Sequence, residues 1–249
     1  MIDTHCHLNH PKLLEKTAQL LHDAAQVGVT KIIVPSWDED SSRNAMKLAV
    51  NYPNVIYPAI GVHPWFPPKN GYSFIEDICR ESTPIAIGEI GIDKSARISI
   101  VEQMTTFTTM IDIARKYDLP VIIHARGGWE IILETLREKP VRGVMHAYSG
   151  SVEMMQKFIL AGMQISFAAS LTRPNNKKTI LCAEAVSLHS MMIETDAPGM
   201  AVYGLTRGQG TPENLPVVVG TMAEIRRMPI YDIIMHSDAN ARELFGIKM

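Results

Sequence analysis

His5 and His7 stand two residues apart near the start of the 249-residue chain. Alternate side chains of an extended strand share a face, so both imidazoles point one way while Cys6 points the other. Two neutral ring nitrogens on one face suit Zn²⁺ or another borderline divalent ion. Glu89, His124, His146 and Asp196 follow at the ends of later apolar runs, or just beyond them. A lone buried histidine is ordinarily a core residue bonded to a backbone carbonyl. Four histidines and two carboxylates at such ends describe a metal cup instead, provided the fold brings those ends together.

Eight apolar runs rich in Val, Ile or Met supply the positioning elements. They are Met1–His7, Lys31–Pro35, Val55–Val62, Ile85–Ile90, Leu119–His124, Gly143–His146, Gln164–Ala168 and Met191–Glu194. None shows the polar alternation of a half-exposed strand, which predicts a parallel sheet covered on both faces. Helical spacing fills several gaps: Leu13, Thr17, Leu20, Leu21 and Ala24; Met104, Phe107, Met110, Ile111 and Ala114; Ile131, Leu133 and Leu136 after Trp129; Met154, Met155, Phe158 and Ile159 after Ser151. These methionines and aromatics read as core. Eight such strands predict an α/β fold, a (β/α)₈ TIM barrel forming one domain over residues 1–249, with an open doubly wound sheet as the alternative. In a barrel the carboxyl ends of the strands meet at one mouth, where the six candidate ligands would then lie. Pro64–Gly71 and Pro198–Pro216 read as loops over one face.

Charge narrows the function. Lys and Arg number 24 against 26 Asp and Glu, a net charge of −2, which excludes nucleic-acid binding by bulk positive charge. The longest uncharged stretch, Asn51 to Pro68, holds five prolines and cannot be a membrane helix. Three cysteines (Cys6, Cys79, Cys182) are too few for a disulfide framework in a chain this long. With no secretory signal pattern at the start, the expected setting is the cytoplasm, with no membrane association and no evident protein partner.

Six motifs occur in order: Asp3-Thr4-His5-Cys6-His7, Gly61-Val62-His63-Pro64, Gly88-Glu89-Ile90-Gly91-Ile92-Asp93, Ile122-Ile123-His124-Ala125-Arg126, His146-Ala147-Tyr148-Ser149-Gly150-Ser151 and Glu194-Thr195-Asp196-Ala197-Pro198. Together they resemble the TatD-type metal-dependent hydrolases of the amidohydrolase superfamily, many described as deoxyribonucleases. The likeness runs from residue 2 to Asn240-Ala241-Arg242-Glu243-Leu244-Phe245. It implies two divalent ions (Zn, Mg or Mn), the first held by His5, His7 and Asp196, the second by His124 and His146, with Glu89 bridging. It also implies substrate contacts from His63 and from the Arg207-Gly208 segment. Bound metals would activate water and polarise the oxygen under attack. Asp196 is the expected proton acceptor, a role the superfamily gives to the acid after the eighth strand, and Glu89 is the alternative.

Arg126 lies two residues beyond His124 and suits a phosphate or carboxylate fork. Asp3 lies one layer deeper than the histidines, either orienting a ligand or forming a buried ion pair. Ser149-Gly150-Ser151 reads as an anion-holding helix start, as an N-cap by Ser151, or as both. His10, His22, His189 and His236 fall outside the pattern and read as surface or helix residues. After Gly-Ile-Asp the family usually shows an aromatic and basic segment, and after Asp-Ala-Pro aromatic or leucine side chains. Here stand Lys94-Ser95-Ala96-Arg97 and Gly199-Met200, which removes stacking surfaces for bases at those points.

The expected function is a metal-dependent phosphodiesterase acting on DNA or another phosphodiester. The alternatives are an amidase or lactonase on the same metals, or a non-catalytic metal-binding scaffold. Six ligands argue against the scaffold, since a structural zinc site closes with four.

Overall fold

The computed structural model describes residues 1–66 and 71–248. Eight parallel strands pair in chain order: β1 (Ile2–Asp3), β2 (Lys31–Val34), β3 (Ile56–Ile60), β4 (Ala86–Asp93), β5 (Val121–Arg126), β6 (Gly143–Met145), β7 (Met163–Phe167) and β8 (Met191–Ile193). Between β8 and β1 the chain closes through a single bridge, Cys6 to Ala197, and through hydrogen bonds from Asp196 N to the His5 carbonyl and from His7 N to the Ala197 carbonyl. The fold is a (β/α)₈ TIM barrel. Helices α1 (Pro11–Leu14), α2 (Thr17–Gln26), α3 (Glu39–Asn51), α4 (Ser73–Glu81), α5 (Ile100–Lys116), α6 (Trp129–Glu138), α7 (Val152–Leu160), α8 (Lys177–Ala185), α9 (Leu215–Arg226) and α10 (Ile230–Phe245) connect the strands and cover the outside.

All eight expected strands are present, and their bounds differ most at the start. The ladder of β1 holds only Ile2 and Asp3, and beyond it Thr4 donates its hydroxyl toward the Ile193 carbonyl and Glu194. The first helical pattern is split into α1 and α2, where the Thr17 hydroxyl takes the Leu14 carbonyl. The expected loop Pro198–Pro216 ends early, since α9 begins at Leu215. Of Pro64–Gly71, residues 67–70 lie outside the described part.

Parity along the strands builds the floor beneath the site. Ile122, Val144 and Met192 lie in one buried cluster with Ile2, Ile33, Ala59 and Ala86, packed on Leu244 and Phe245 of α10. Two residues farther along the same strands come His124, His146 and Glu194, which therefore share the inward face. An apolar plug thus closes one end of the barrel and raises the polar residues to the other.

Strand β4 shifts register between Gly88 and Ile90, and Gly91 follows at φ +145°. A Cβ at Gly91 would overlap the His124 carbonyl. Both conditions exclude side chains. Gly91→Ala is expected to cost about 3 kcal/mol or more, read as a fall in denaturation midpoint with unchanged slope.

Candidate metal centre

The six residues expected as ligands meet at the mouth. His5, Glu89, His146 and Asp196 are buried, at 0%, 3%, 5% and 8% exposure. His5 Nε2 and His7 Nε2 lie 3.2 Å apart, and both face Asp196 Oδ1, at 3.8 and 3.5 Å. Glu89 spans the cup. Its Oε2 is 3.5 Å from both His5 and His7 Nε2, while its Oε1 is 2.8 Å from His124 Nδ1 and 3.1 Å from His146 Nε2. His63, expected as a substrate contact, stands 3.4 Å from Glu89 Oε1 and within the same donor group as His124.

Outer acceptors fix how these rings present themselves. His7 Nδ1 faces the Pro35 carbonyl at 3.2 Å, His124 Nε2 faces Asp93 Oδ2 at 3.2 Å, and His146 Nδ1 faces Glu194 Oε1 at 3.1 Å. In its neutral form each ring would donate its one N–H outward, so that its second nitrogen would turn a lone pair toward Glu89 or Asp196. His5 Nδ1 is buried without a hydrogen-bond partner. Lone pairs crowded onto carboxylate oxygens repel one another unless protons or cations sit between them. Ligands about 2.1 Å from a common ion lie about 3.0–3.4 Å from each other, and the donor atoms here, 2.8–3.8 Å apart, are gathered closely enough for small shifts to bring them onto one. The residues present fit divalent metal.

The titration pattern has the same cause. Burial would raise the Glu89 carboxyl, yet the fields of His63 and His146 and hydrogen bonds from His124 and His146 hold it well below the usual range. Burial would lower His146, but Glu89 and Glu194 push it well above an ordinary histidine. The cup demands positive charge.

Asp93 and Glu194 are the functional residues the sequence reading left without a role. Both lie in quoted motifs, and their signal was parity with the ligands, visible only once the strand ends were placed. Asp93 is fully buried, and also accepts from Trp65 Nε1 at 2.6 Å and from the Ser95 hydroxyl and amide. Glu194 accepts from Ala147 N at 2.8 Å as well. Such carboxylates set ring orientation and basicity, and losing one typically costs 10–100-fold in metal affinity. Glu194→Ala is therefore expected to raise the dissociation constant for metal by roughly 10–100-fold, measured by competition with a chromogenic chelator.

Among the described residues Asp3 has no ion-pair partner. It accepts from Thr195 N at 2.9 Å, from the Thr195 hydroxyl at 2.6 Å and from His5 N at 3.3 Å, anchoring the residue before Asp196. Burial raises its carboxyl to about 7. Asp196 itself has φ +53° and Ala147 φ +43°, left-handed conformations of the kind that gather at functional sites.

Above the cup opens a cavity of about 500 Å³, lined in part by Trp65, Arg126, Ser149, Arg173, Asn176 and Arg207. Arg126 and Arg207 stand where the sequence placed them. Arg173 was missed because it follows a short turn after β7 and no strand end marks it. Ser151 caps α7 by accepting from Met154 N, leaving Ser149 on the wall. His10, read as a surface or helix residue, caps α1 by accepting from Lys12 N and also lies beside the mouth, 5.8 Å from the Trp37 ring. His189 and His236 pack on each other far from it in sequence, at 5.6 Å between rings.

A TIM barrel whose strand ends converge histidines and carboxylates in this way has the architecture of a metal-dependent hydrolase. The chain belongs to the TatD family: the profile described as TatD related DNase matches residues 2–246. An uncharacterized metal-dependent hydrolase of Escherichia coli, YjjV, is 32% identical over 254 residues, covering 99% of this chain and 98% of its own. The crystal structure of that TatD homologue superposes with a TM-score of 0.91, at 31% identity over 100% of this chain and 98% of the other. A Yersinia pseudotuberculosis protein named 3′-5′ ssDNA/RNA exonuclease TatD is 25% identical, with 99% and 100% coverage. Among the described residues no helix is long and apolar enough to cross a membrane.

Proposed function

We propose that this metal-dependent hydrolase cleaves phosphodiester bonds at the end of a single-stranded nucleic acid, using two divalent ions. His5, His7 and Asp196 would hold one ion, His124 and His146 the other, and Glu89 would serve both. When bound, such ions acidify water to supply a nucleophile and polarise the phosphoryl oxygen under attack. Asp196 would serve as the proton acceptor, its carboxylate kept ionised by the surrounding histidines against the effect of burial. His63 lines the cavity within reach of the same space and contacts the substrate.

The observation that carries the phosphodiester reading is the ring of free cations above the cup. Arginine–carboxylate pairs among the described residues involve Arg43, Arg80 and Arg142, leaving Arg126, Arg173 and Arg207 without one. Counting only Glu89 and Asp196, two divalent ions would leave the cup positive. Asp93 and Glu194 cancel that excess, so attraction for an anion falls to the arginines. Planar guanidinium forks that stay charged suit phosphate oxygens. A recessed cavity at the barrel mouth, with the ligand cup at its floor, favours a strand end over continuous duplex, in keeping with the name of the Yersinia relative.

Arg126→Ala and Arg207→Ala are expected to raise KM for an oligonucleotide roughly 10–100-fold each, with kcat and metal content little changed. Three arginines on single-stranded phosphates predict a shallow salt slope, about −2 in log–log form. Steady-state kinetics on labelled DNA, beside a panel of amides and lactones, checks both. Cleavage of amides or lactones alone would replace this reading with the small-molecule hydrolase.

A further inference from the structure

A second cavity, of about 550 Å³, opens beside the first and shares His7, His63, Glu89 and Arg207 with it. Its walls are of another kind. Trp37, from the loop after β2, and Phe66, from the loop after β3, set their rings 6.4 Å apart at 41°, forming an aromatic corner. Trp65 stands between the two cavities and lines both. Phe66 and Trp65 are 40% and 41% exposed, a large apolar surface to leave open at the edge of a polar cup. At the rim the Lys12 ammonium lies over Gly208, next to Arg207. Lysine–carboxylate pairs among the described residues involve Lys116, Lys139 and Lys157, so Lys12 has none.

We infer that this corner is a base-stacking subsite, holding the nucleobase of a nucleotide next to the scissile phosphate on the Trp37 and Phe66 rings, with Lys12 on a neighbouring phosphate. The inference rests on the phosphodiester reading for what occupies the first cavity. Flat aromatic faces beside unpaired cations fit a nucleotide strand, whose bases stack and whose phosphates need positive partners. A greasy acyl or peptide ligand would use the apolar corner and leave Lys12 and Arg207 idle. The two cavities share Glu89, His63 and Trp65 in their walls, so a strand end with its phosphate over the cup would set a base toward the corner. These aromatics come from the loops after β2 and β3, replacing those absent from Lys94–Arg97 and Gly199-Met200. Since every base has a π-face, the subsite selects for a base without choosing which one.

The test compares two hydrolysis-resistant phosphorothioate strands on the metal-loaded protein: a short oligothymidylate, and a strand of equal length that is abasic throughout. Both carry a fluorophore at one end, and affinity is read by anisotropy. The expected result is a Kd roughly 5- to 100-fold lower for the base-bearing strand. Trp37→Leu keeps an apolar side chain without a flat face and should collapse that gap, while Trp37→Phe should keep most of it. Replacing thymine by adenine should leave the affinity within a few-fold. Equal affinity for the two strands, a gap that survives Trp37→Leu combined with Phe66→Leu, or no binding of either strand would each overturn the subsite. Hydrolysis is scored separately. A protein that shows the gap but cleaves no diester keeps the subsite and loses the phosphodiesterase, whereas diester cleavage without a gap does the reverse.

Discussion

Asp196→Asn is expected to lower turnover by roughly 10²–10⁴-fold while bound metal falls far less. Asparagine keeps an oxygen near His5 and His7 Nε2, where Asp196 Oδ1 stands at 3.8 and 3.5 Å. It also tolerates the left-handed φ of +53° at this position about as well as aspartate does, so the loop is expected to hold. What it loses is the capacity to accept a proton. Burial alone would push the Asp196 carboxyl up, but the His7 hydrogen bond and the fields of His146, His5 and His7 bring it below its ordinary value. The group is therefore ionised at neutral pH and available as a base. Measuring kcat beside metal content by mass spectrometry separates the two roles. Near-normal turnover in a metal-loaded variant would move the proton-accepting role to Glu89.

Chelation is expected to remove hydrolysis completely, and the stripped protein is then expected to lose stability as pH rises above about 6.5. His146 is the main cause. Burial pushes it down, but Glu89 and Glu194 raise it well above an unfolded histidine, and His7 and His124 are raised as well by carboxylates around them. A histidine with a raised folded pKa contributes its stability fully below the unfolded value and loses it as pH climbs through the folded one, at up to about 1.4 kcal/mol per pH unit. His5 and His63 are lowered, chiefly by burial, so their effect falls below about 6.5 and does not cancel the loss above it. Metal takes the place of those protons, so the loaded protein is spared the decline and its affinity for metal grows with pH. At an ion concentration about 100 times Kd the loaded form gains about 2.7 kcal/mol. Melting curves with and without chelator from pH 6 to 9 read both effects. A stripped protein whose Tm holds level or rises over that range would contradict the charge balance described here.

The barrel was legible in the sequence because a strand buried on both faces must be apolar throughout, and eight such runs of Val, Ile and Met leave few other folds. His5, His7, His124, His146, Glu89 and Asp196 were legible for a related reason. Strand ends in a barrel converge, so a residue's place along its own strand already says that it reaches the mouth. What the linear pattern lacked was everything that depends on two elements meeting. Asp93 backs His124 only because β4 lies against β5 with its register shifted, and Glu194 backs His146 across β7. Arg173, Trp37, Phe66 and His10 sit on connections after β7, β2, β3 and β1, where no periodicity records which way a side chain turns. Local spacing determined which residues could bind metal, since that follows from the two-residue repeat of a strand. Only the closed barrel decided which carboxylate orients which histidine, how much negative charge the cup carries, and which aromatic rings stand beside it. Those are contacts between residues distant in sequence, and burial in a common low-dielectric cup gives them their strength.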